Sequence, residues 1–215
     1  MATFYPIALN MDGRTAVVIG GGAVGERKVC GLRERGIAVR LVSPRATRAL
    51  MELAIRGEIE WRARKALEED LDGAALVFLA TDDAQVNAQL AEAARRRGLP
   101  VNRADDPDGC DFIVPASFRS GNIEVAVFSG GEAPFFARWL RQRLEQELSH
   151  VLGDLGALMA QLRAELKGLP ISQQERASLL NSVLESDVLE VLRSEGKEAA
   201  LARARELVAQ ARKVQ

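Results

Sequence analysis

Gly20-Gly21-Gly22-Ala23-Val24-Gly25 follows the apolar run Thr15-Ala16-Val17-Val18-Ile19 and opens a stretch of helical character over residues 26–35. This is G-x-G-x-x-G between a strand and a helix, the context in which the pattern marks a dinucleotide site and not merely a glycine-rich turn. Gly20 permits the sharp turn. Gly22 lets backbone approach a pyrophosphate with no Cβ in the way, and Gly25 lets the helix pack close to the strand. The free N–H groups at the helix start, around Gly22, Ala23 and Val24, then face the phosphates.

Outward from this turn the chain alternates. Residues 39–42, 59–62 and 76–80 read as further strands, and residues 100–102 begin a fifth. Residues 45–55 and 85–97 have helical spacing, and Gly36 and Gly98 fit the positions just past helix ends. Alternation of this kind predicts an α/β fold, a mostly parallel Rossmann-type sheet with helices on both faces, over residues 1–112.

Residues 113–149 change style. The runs 112–115 and 123–128 flank Arg119-Ser120-Gly121-Asn122, which predicts antiparallel pairing across a small α/β region. Ser129-Gly130-Gly131-Glu132-Ala133-Pro134 then leads into a helix expected over about residues 135–151, with Pro134 in its first turn. Residues 150–215 are helical in pattern throughout, with breaks at Gly168-Leu169-Pro170 and near Gly196. Ser172-Gln173-Gln174-Glu175 has the form of a capping box, and the amphipathic run 201–214 reads as a solvated cap helix.

Composition narrows the class. The chain has 215 residues, 47% of them hydrophobic, and a net charge of −1, which gives no ground for a nucleic-acid or anionic-membrane partner. Two cysteines, Cys30 and Cys110, with no C-x-x-C argue against a disulfide framework or a thiolate zinc site. The first residues, Met1-Ala2-Thr3-Phe4-Tyr5-Pro6, lack the basic and apolar regions of a signal peptide, and no apolar stretch reaches a bilayer's width. A cytoplasmic protein is expected.

Several segments together resemble the precorrin-2 dehydrogenase / sirohydrochlorin ferrochelatase family, the dehydrogenase part of siroheme synthases. They are Phe4-Tyr5-Pro6-Ile7, the glycine turn continuing into Glu26-Arg27-Lys28, and Ala80-Thr81-Asp82-Asp83. Next come Val101-Asn102-Arg103-Ala104-Asp105-Asp106 and Asp111-Phe112-Ile113-Val114-Pro115-Ala116, then Ser129 to Pro134 with Ala137-Arg138-Trp139-Leu140-Arg141. The resemblance implies oxidation of precorrin-2 to sirohydrochlorin with NAD as hydride acceptor, and in some members insertion of Fe²⁺. It also implies a homodimer paired through residues 113–149, with residues 150–215 covering the tetrapyrrole. The methyltransferase domain of some siroheme synthases does not fit the remaining residues, so methylation is expected from elsewhere.

The cofactor site is irregular at its ribose end. An NAD site usually carries a carboxylate after the second strand, but here that strand ends Leu41-Val42-Ser43-Pro44-Arg45. The family has a similar Pro-containing turn, so NAD stays the choice. Ser43 can hydrogen-bond a ribose hydroxyl, whereas Arg45 facing a 2′-phosphate would favour NADP. Thr81 and Asp82 close the fourth strand where ligands sit in open α/β sheets, and Asp82 or Asp83 can also cap the next helix.

By the resemblance Asp105 is the catalytic carboxylate. Without it, Asp105-Asp106-Pro107-Asp108-Gly109 would read as a solvated acidic turn. Repulsion among these carboxylates and Asp111 is one way to raise a pKa into a useful range. Ser129 and Gly130 before a helix offer N–H groups to a substrate carboxylate, although some relatives have several serines there. Arg138 and Arg141, spaced i, i+3, serve either substrate carboxylates or the dimer seam. His150 reads as a surface or helix-end residue, Cys30 as core, and Cys110 as packing or as a thiol facing the site. The other classes open to such a chain are a non-catalytic NAD(H)-binding redox sensor and a tetrapyrrole carrier.

Overall fold

The computed structural model describes residues 3–213. Met1 and Ala2, and Val214 at the end of the run expected to be a cap helix, lie outside the described residues. The chain divides into two compact units, Met1–Val114 and Pro115–Gln215.

The first unit is built on β1 (Thr15–Ile19), buried from Ala16 onward. A strand buried on both faces reads as a continuous apolar run. Val17 and Ile19 pack on one face of the sheet, and Ala16 and Val18 on the other. Around it lie β2 (Ala38–Val42), β3 (Glu60–Arg62), β4 (Ala74–Leu79) and β5 (Val101–Arg103), all parallel, in the order β3-β2-β1-β4-β5. The connecting helices are α1 (Ala23–Arg33), α2 (Arg48–Ile55) and α3 (Ala84–Arg96). The chain order reverses between β1 and β4, which makes that junction the topological switch point. Register brings the strand ends level: Ile19 pairs with Val42 and Leu79, Val42 with Arg62, and Leu79 with Arg103. The loops that follow these residues therefore share one edge.

A short 3-10 turn, Glu68–Leu71, was not foreseen. It carries Asp70, whose side chain is wholly buried. That carboxylate accepts from Arg62 at 2.7 Å, from Arg64 at 2.6 Å and from the Leu67 backbone N–H at 2.8 Å. These hydrogen bonds hold its pKa down at about 2 against the cost of burial. Nothing periodic in the sequence marks such a clamp.

The second unit begins with the hairpin β6 (Ala116–Ser120) and β7 (Ile123–Val127). Residues 112–115, expected as its first strand, are not a strand. The Phe112 carbonyl accepts from the Asn102 side chain at 3.0 Å, and its ring meets Phe78 edge-on at 5.3 Å. Pro115 has no N–H for a ladder, so pairing starts at Ala116. The helices are α4 (Pro134–Lys167), α5 (Gln173–Leu184), α6 (Val188–Ser194) and α7 (Lys197–Lys213). Leu158, Leu162 and Leu166 of α4 pack with Val183, Val188 and Ala204 in their core. The capping box at Ser172 and Glu175 forms with both hydrogen bonds.

Helix α4 does not stop near residue 151 but runs to Lys167. At the place where the sequence changes texture the Ser120 hydroxyl enters its ladder, donating to the Ser149 carbonyl and accepting from the Gly153 N–H at 2.9 Å. These are the carbonyl and the N–H that the helix ladder itself pairs, so the hydroxyl joins an existing rung. Gly153 and Gly156 allow the approach: a Cβ on Gly153 would stand 3.0 Å from the Gly121 nitrogen, and one on Gly156 2.8 Å from Ile123.

Candidate functional site

The glycine turn sits at the switch point, and each glycine there does something different. Gly20 has φ 110° and a Cβ on it would meet the Ala80 carbonyl at 2.3 Å; a Cβ on Gly25 would meet the Gly20 carbonyl at 1.9 Å. Both are required by the fold itself. Gly22 is different: a Cβ there would meet nothing within 4 Å. It precedes Ala23 and Val24 at the start of α1, where no side chain caps the free N–H groups, whereas Thr47 caps α2 and Asp83 caps α3. Open space over a glycine beside uncapped N–H donors fits a dinucleotide pyrophosphate.

At the end of β2, Ser43 is buried, its carbonyl accepts from the Trp61 indole N–H at 3.1 Å, and Pro44 and Arg45 are exposed. Thr81, after β4, donates to the Asn87 side chain at 2.7 Å, and Asn87 returns a bond to the Thr81 carbonyl at 3.0 Å. Asp83 and not Asp82 caps α3, accepting from Gln85 and Val86; Asp82 is exposed.

Asp105 lies two residues past the end of β5, its side chain 24% exposed and 2.8 Å from the Arg103 guanidinium, which also pairs with Asp106 at 2.8 Å. This overturns the expected repulsion. The hydrogen bond from Arg103 holds the Asp105 carboxyl below its usual range. Asp111 is drawn away to Arg95 at 3.1 Å and to the Val101 N–H at 3.0 Å. Cys110 supports the same loop from inside. Its sulfur accepts from the Arg103 N–H at 3.1 Å and donates to the Arg103 carbonyl at 3.3 Å.

Next to this loop is a cavity of about 500 Å³, lined by Val24, Arg27 and Lys28 of α1, by residues 102–104, and by Pro107, Cys110, Ile113 and Val114. Of its lining residues the sequence marks Val24, for the cofactor, and Cys110, as packing or as a thiol facing the site; Lys28 carries no signal of its own. Cys30, expected in the core, is half-buried.

In the second unit, Gly130 and Gly131 have φ of 69° and 88° before the uncapped start of α4, and Ser129 is half-buried. Arg138 lies over the Phe135 ring at 6.0 Å, and Arg141 pairs with Glu145 along the helix. His150 is exposed. Among the described residues no helix is long and apolar enough to cross a membrane.

A parallel sheet with a ligand-ready glycine turn at its switch point defines a dinucleotide-binding protein of the Rossmann class. A family model described as "Putative NAD(P)-binding" matches residues 7–116, and the chain belongs to that family. It is 37% identical over 197 residues to the siroheme synthase of Pseudomonas fluorescens (strain SBW25), covering 91% of this chain and 42% of the relative. With the siroheme synthase of Methylococcus capsulatus it is 38% identical over 188 residues, 87% of this chain and 40% of the relative. The chain thus spans about two fifths of these curated relatives' length. The solved structure titled "SirC, precorrin-2 dehydrogenase" shares the fold, with a TM-score of 0.72 and 23% identity over 98% of this chain and 100% of that one.

Proposed function

We propose that this chain oxidises precorrin-2 to sirohydrochlorin with NAD⁺ as acceptor, in the cytoplasm. The observation that carries the proposal is Asp105. It is a carboxylate fixed by Arg103 on the same sheet edge as the Gly22 cradle. The reaction removes a hydride and a proton from the macrocycle. When bound, the nicotinamide takes the hydride. As it leaves, positive charge develops on the substrate, and an anion held in place offsets that charge without reorganising. With its pKa depressed, Asp105 is anionic at neutral pH and passes the departing proton on to solvent instead of keeping it. Gly20, Gly22, Ala23, Val24, Thr81 and Asp82 are assigned to the cofactor, with Ser43, Pro44 and Arg45 at its ribose end.

Ser129, Gly130, Arg138 and Arg141 are assigned to the substrate's carboxylates. Arg138 is the more available of the two arginines, since Arg141 already has Glu145. A homodimer is supported by Phe135, Phe136 and Trp139, which are 81%, 56% and 57% exposed at the start of α4. An aromatic patch of this kind marks an interaction surface. Residues 150–215 are assigned to covering the tetrapyrrole.

The test is an anaerobic assay of purified protein with precorrin-2 and NAD⁺ or NADP⁺, following sirohydrochlorin and reduced cofactor by absorbance, then adding Fe²⁺ as substrate. The expected result is NAD⁺-dependent sirohydrochlorin that Asp105→Asn lowers about 100-fold or more, with cofactor affinity kept. Cofactor binding without turnover points to a sensor, and tetrapyrrole binding without turnover to a carrier; either result overturns the proposal.

A further inference from the structure

The cavity beside Asp105 has a charge imbalance that the assigned roles leave unused. Three cations line it, Arg27, Lys28 and Arg103, and no carboxylate does. Arg103 is already neutralised by Asp105 and Asp106. Arg27 and Lys28 have no carboxylate partner among the described residues. Arg27 is exposed, but Lys28 is half-buried, with its ammonium 5.4 Å from the centroid of the Phe78 ring. An ammonium leaving water normally gains a counter-charge. Here burial without one pushes the Lys28 pKa down.

The position indicates which anion these cations suit. Val24, one turn before Lys28 on α1, belongs both to the cavity wall and to the helix start assigned to the pyrophosphate. Ala104, which also lines the cavity, directly precedes Asp105. The cavity therefore borders both the helix start assigned to the cofactor and the loop that carries Asp105. Cys110, Ile113 and Val114 complete an apolar stretch of wall, beside which an ion pair is stronger than in bulk water.

We propose that this cavity takes one carboxylate side chain of the tetrapyrrole, held by the Lys28 ammonium with Arg27 at the mouth. The ring is thereby oriented with its reacting carbon toward the cofactor. This rests on the precorrin-2 reading above. It separates the role of Lys28, which binds, from that of Asp105, which answers the developing charge.

The experiment uses Lys28→Met and Lys28→Arg. Met keeps the apolar stem against Phe78 and loses only the charge. With precorrin-2 and saturating NAD⁺, Lys28→Met is expected to raise KM about 10- to 100-fold, the range for a charged hydrogen bond, with kcat little changed. Lys28→Arg should recover most of the loss, and the NAD⁺ Kd should stay within about twofold for both. An unchanged KM overturns the proposal, as does a loss that falls on NAD⁺ binding. Fluorescence titration with uroporphyrin, a non-reacting polycarboxylate tetrapyrrole, separates the two levels. If wild type binds it and Lys28→Met binds it equally well, the anchor fails while the substrate class stands. If wild type binds no tetrapyrrole and turns none over, the substrate reading fails and this inference with it.

Discussion

Arg103 Nη2 stands 2.8 Å from Asp105 Oδ2, so the carboxylate offered to the reaction comes with its counter-charge attached. Because that contact depresses the Asp105 pKa, the anion persists above the depressed value and is lost only as pH falls through it. Arg103→Met removes the contact and lets the pKa rise. The acid limb of kcat/KM is then expected to move to higher pH, read from a pH–rate profile of both proteins. A limb that stays in place would show that some group other than Asp105 sets it.

Gly20 and Gly22 lie two residues apart and are expected to fail in different ways when made alanine. Gly20→Ala combines a positive φ with a clash against the Ala80 carbonyl and should cost about 3 kcal/mol or more of folding stability. Gly22→Ala has room and an ordinary backbone, so stability should change by about 0.5 kcal/mol or less. Its methyl would occupy the cradle and weaken NAD⁺ binding about tenfold or more. Urea denaturation and calorimetric titration on both variants test the contrast.

Asp70→Asn should destabilise the first unit by about 2 kcal/mol at neutral pH, the free energy corresponding to a carboxyl held at about 2 from an ordinary 3.8. A depressed folded pKa stabilises above the unfolded value and ceases to do so as pH falls through the folded one. The gap between wild type and variant should therefore begin to close below about pH 4 and be gone by about pH 2. Urea midpoints at several pH values measure it, and a gap independent of pH would assign the loss to packing.

Arg45 is exposed just past β2, where a 2′-phosphate would lie if NADP were the cofactor. With NAD as the physiological partner, Arg45→Ala should leave the NAD⁺ Kd within about twofold and weaken residual NADP⁺ binding about tenfold. Titration of both cofactors into both proteins decides the preference.

The parallel sheet was legible because β1 and β4 are apolar on both faces and because glycines punctuate the strand ends. The hairpin was found but its first strand was set too early, because the apolar run 112–115 looks like a strand. In fact Phe112 serves the first unit through Asn102 and Phe78. The sequence is helical on both sides of residue 151 and breaks at Gly168, where α4 does end, but the joining of the two stretches into one helix is not legible; Gly153 and Gly156, poor helix formers, are explained only by their approach to the hairpin. Asp105 could be singled out by motif, but its electrostatics could not. Counting neighbouring carboxylates says nothing of Arg103 lying between two of them. Lys28 was hidden for the converse reason: a lysine on an amphipathic helix gives no sign in sequence that its partner is missing.

The Ser120 hydroxyl in the ladder of α4 has a mechanical meaning. A rod of this length would resist bending evenly along its axis. Here the Ser120 hydroxyl of β6 adds two bonds to the segment from Ser149 to Gly153 and so ties the middle of the rod to the hairpin. Flexing that segment must stretch or release the two bonds to Ser120. Bending there therefore costs the bonds to the hairpin as well as the helix's own.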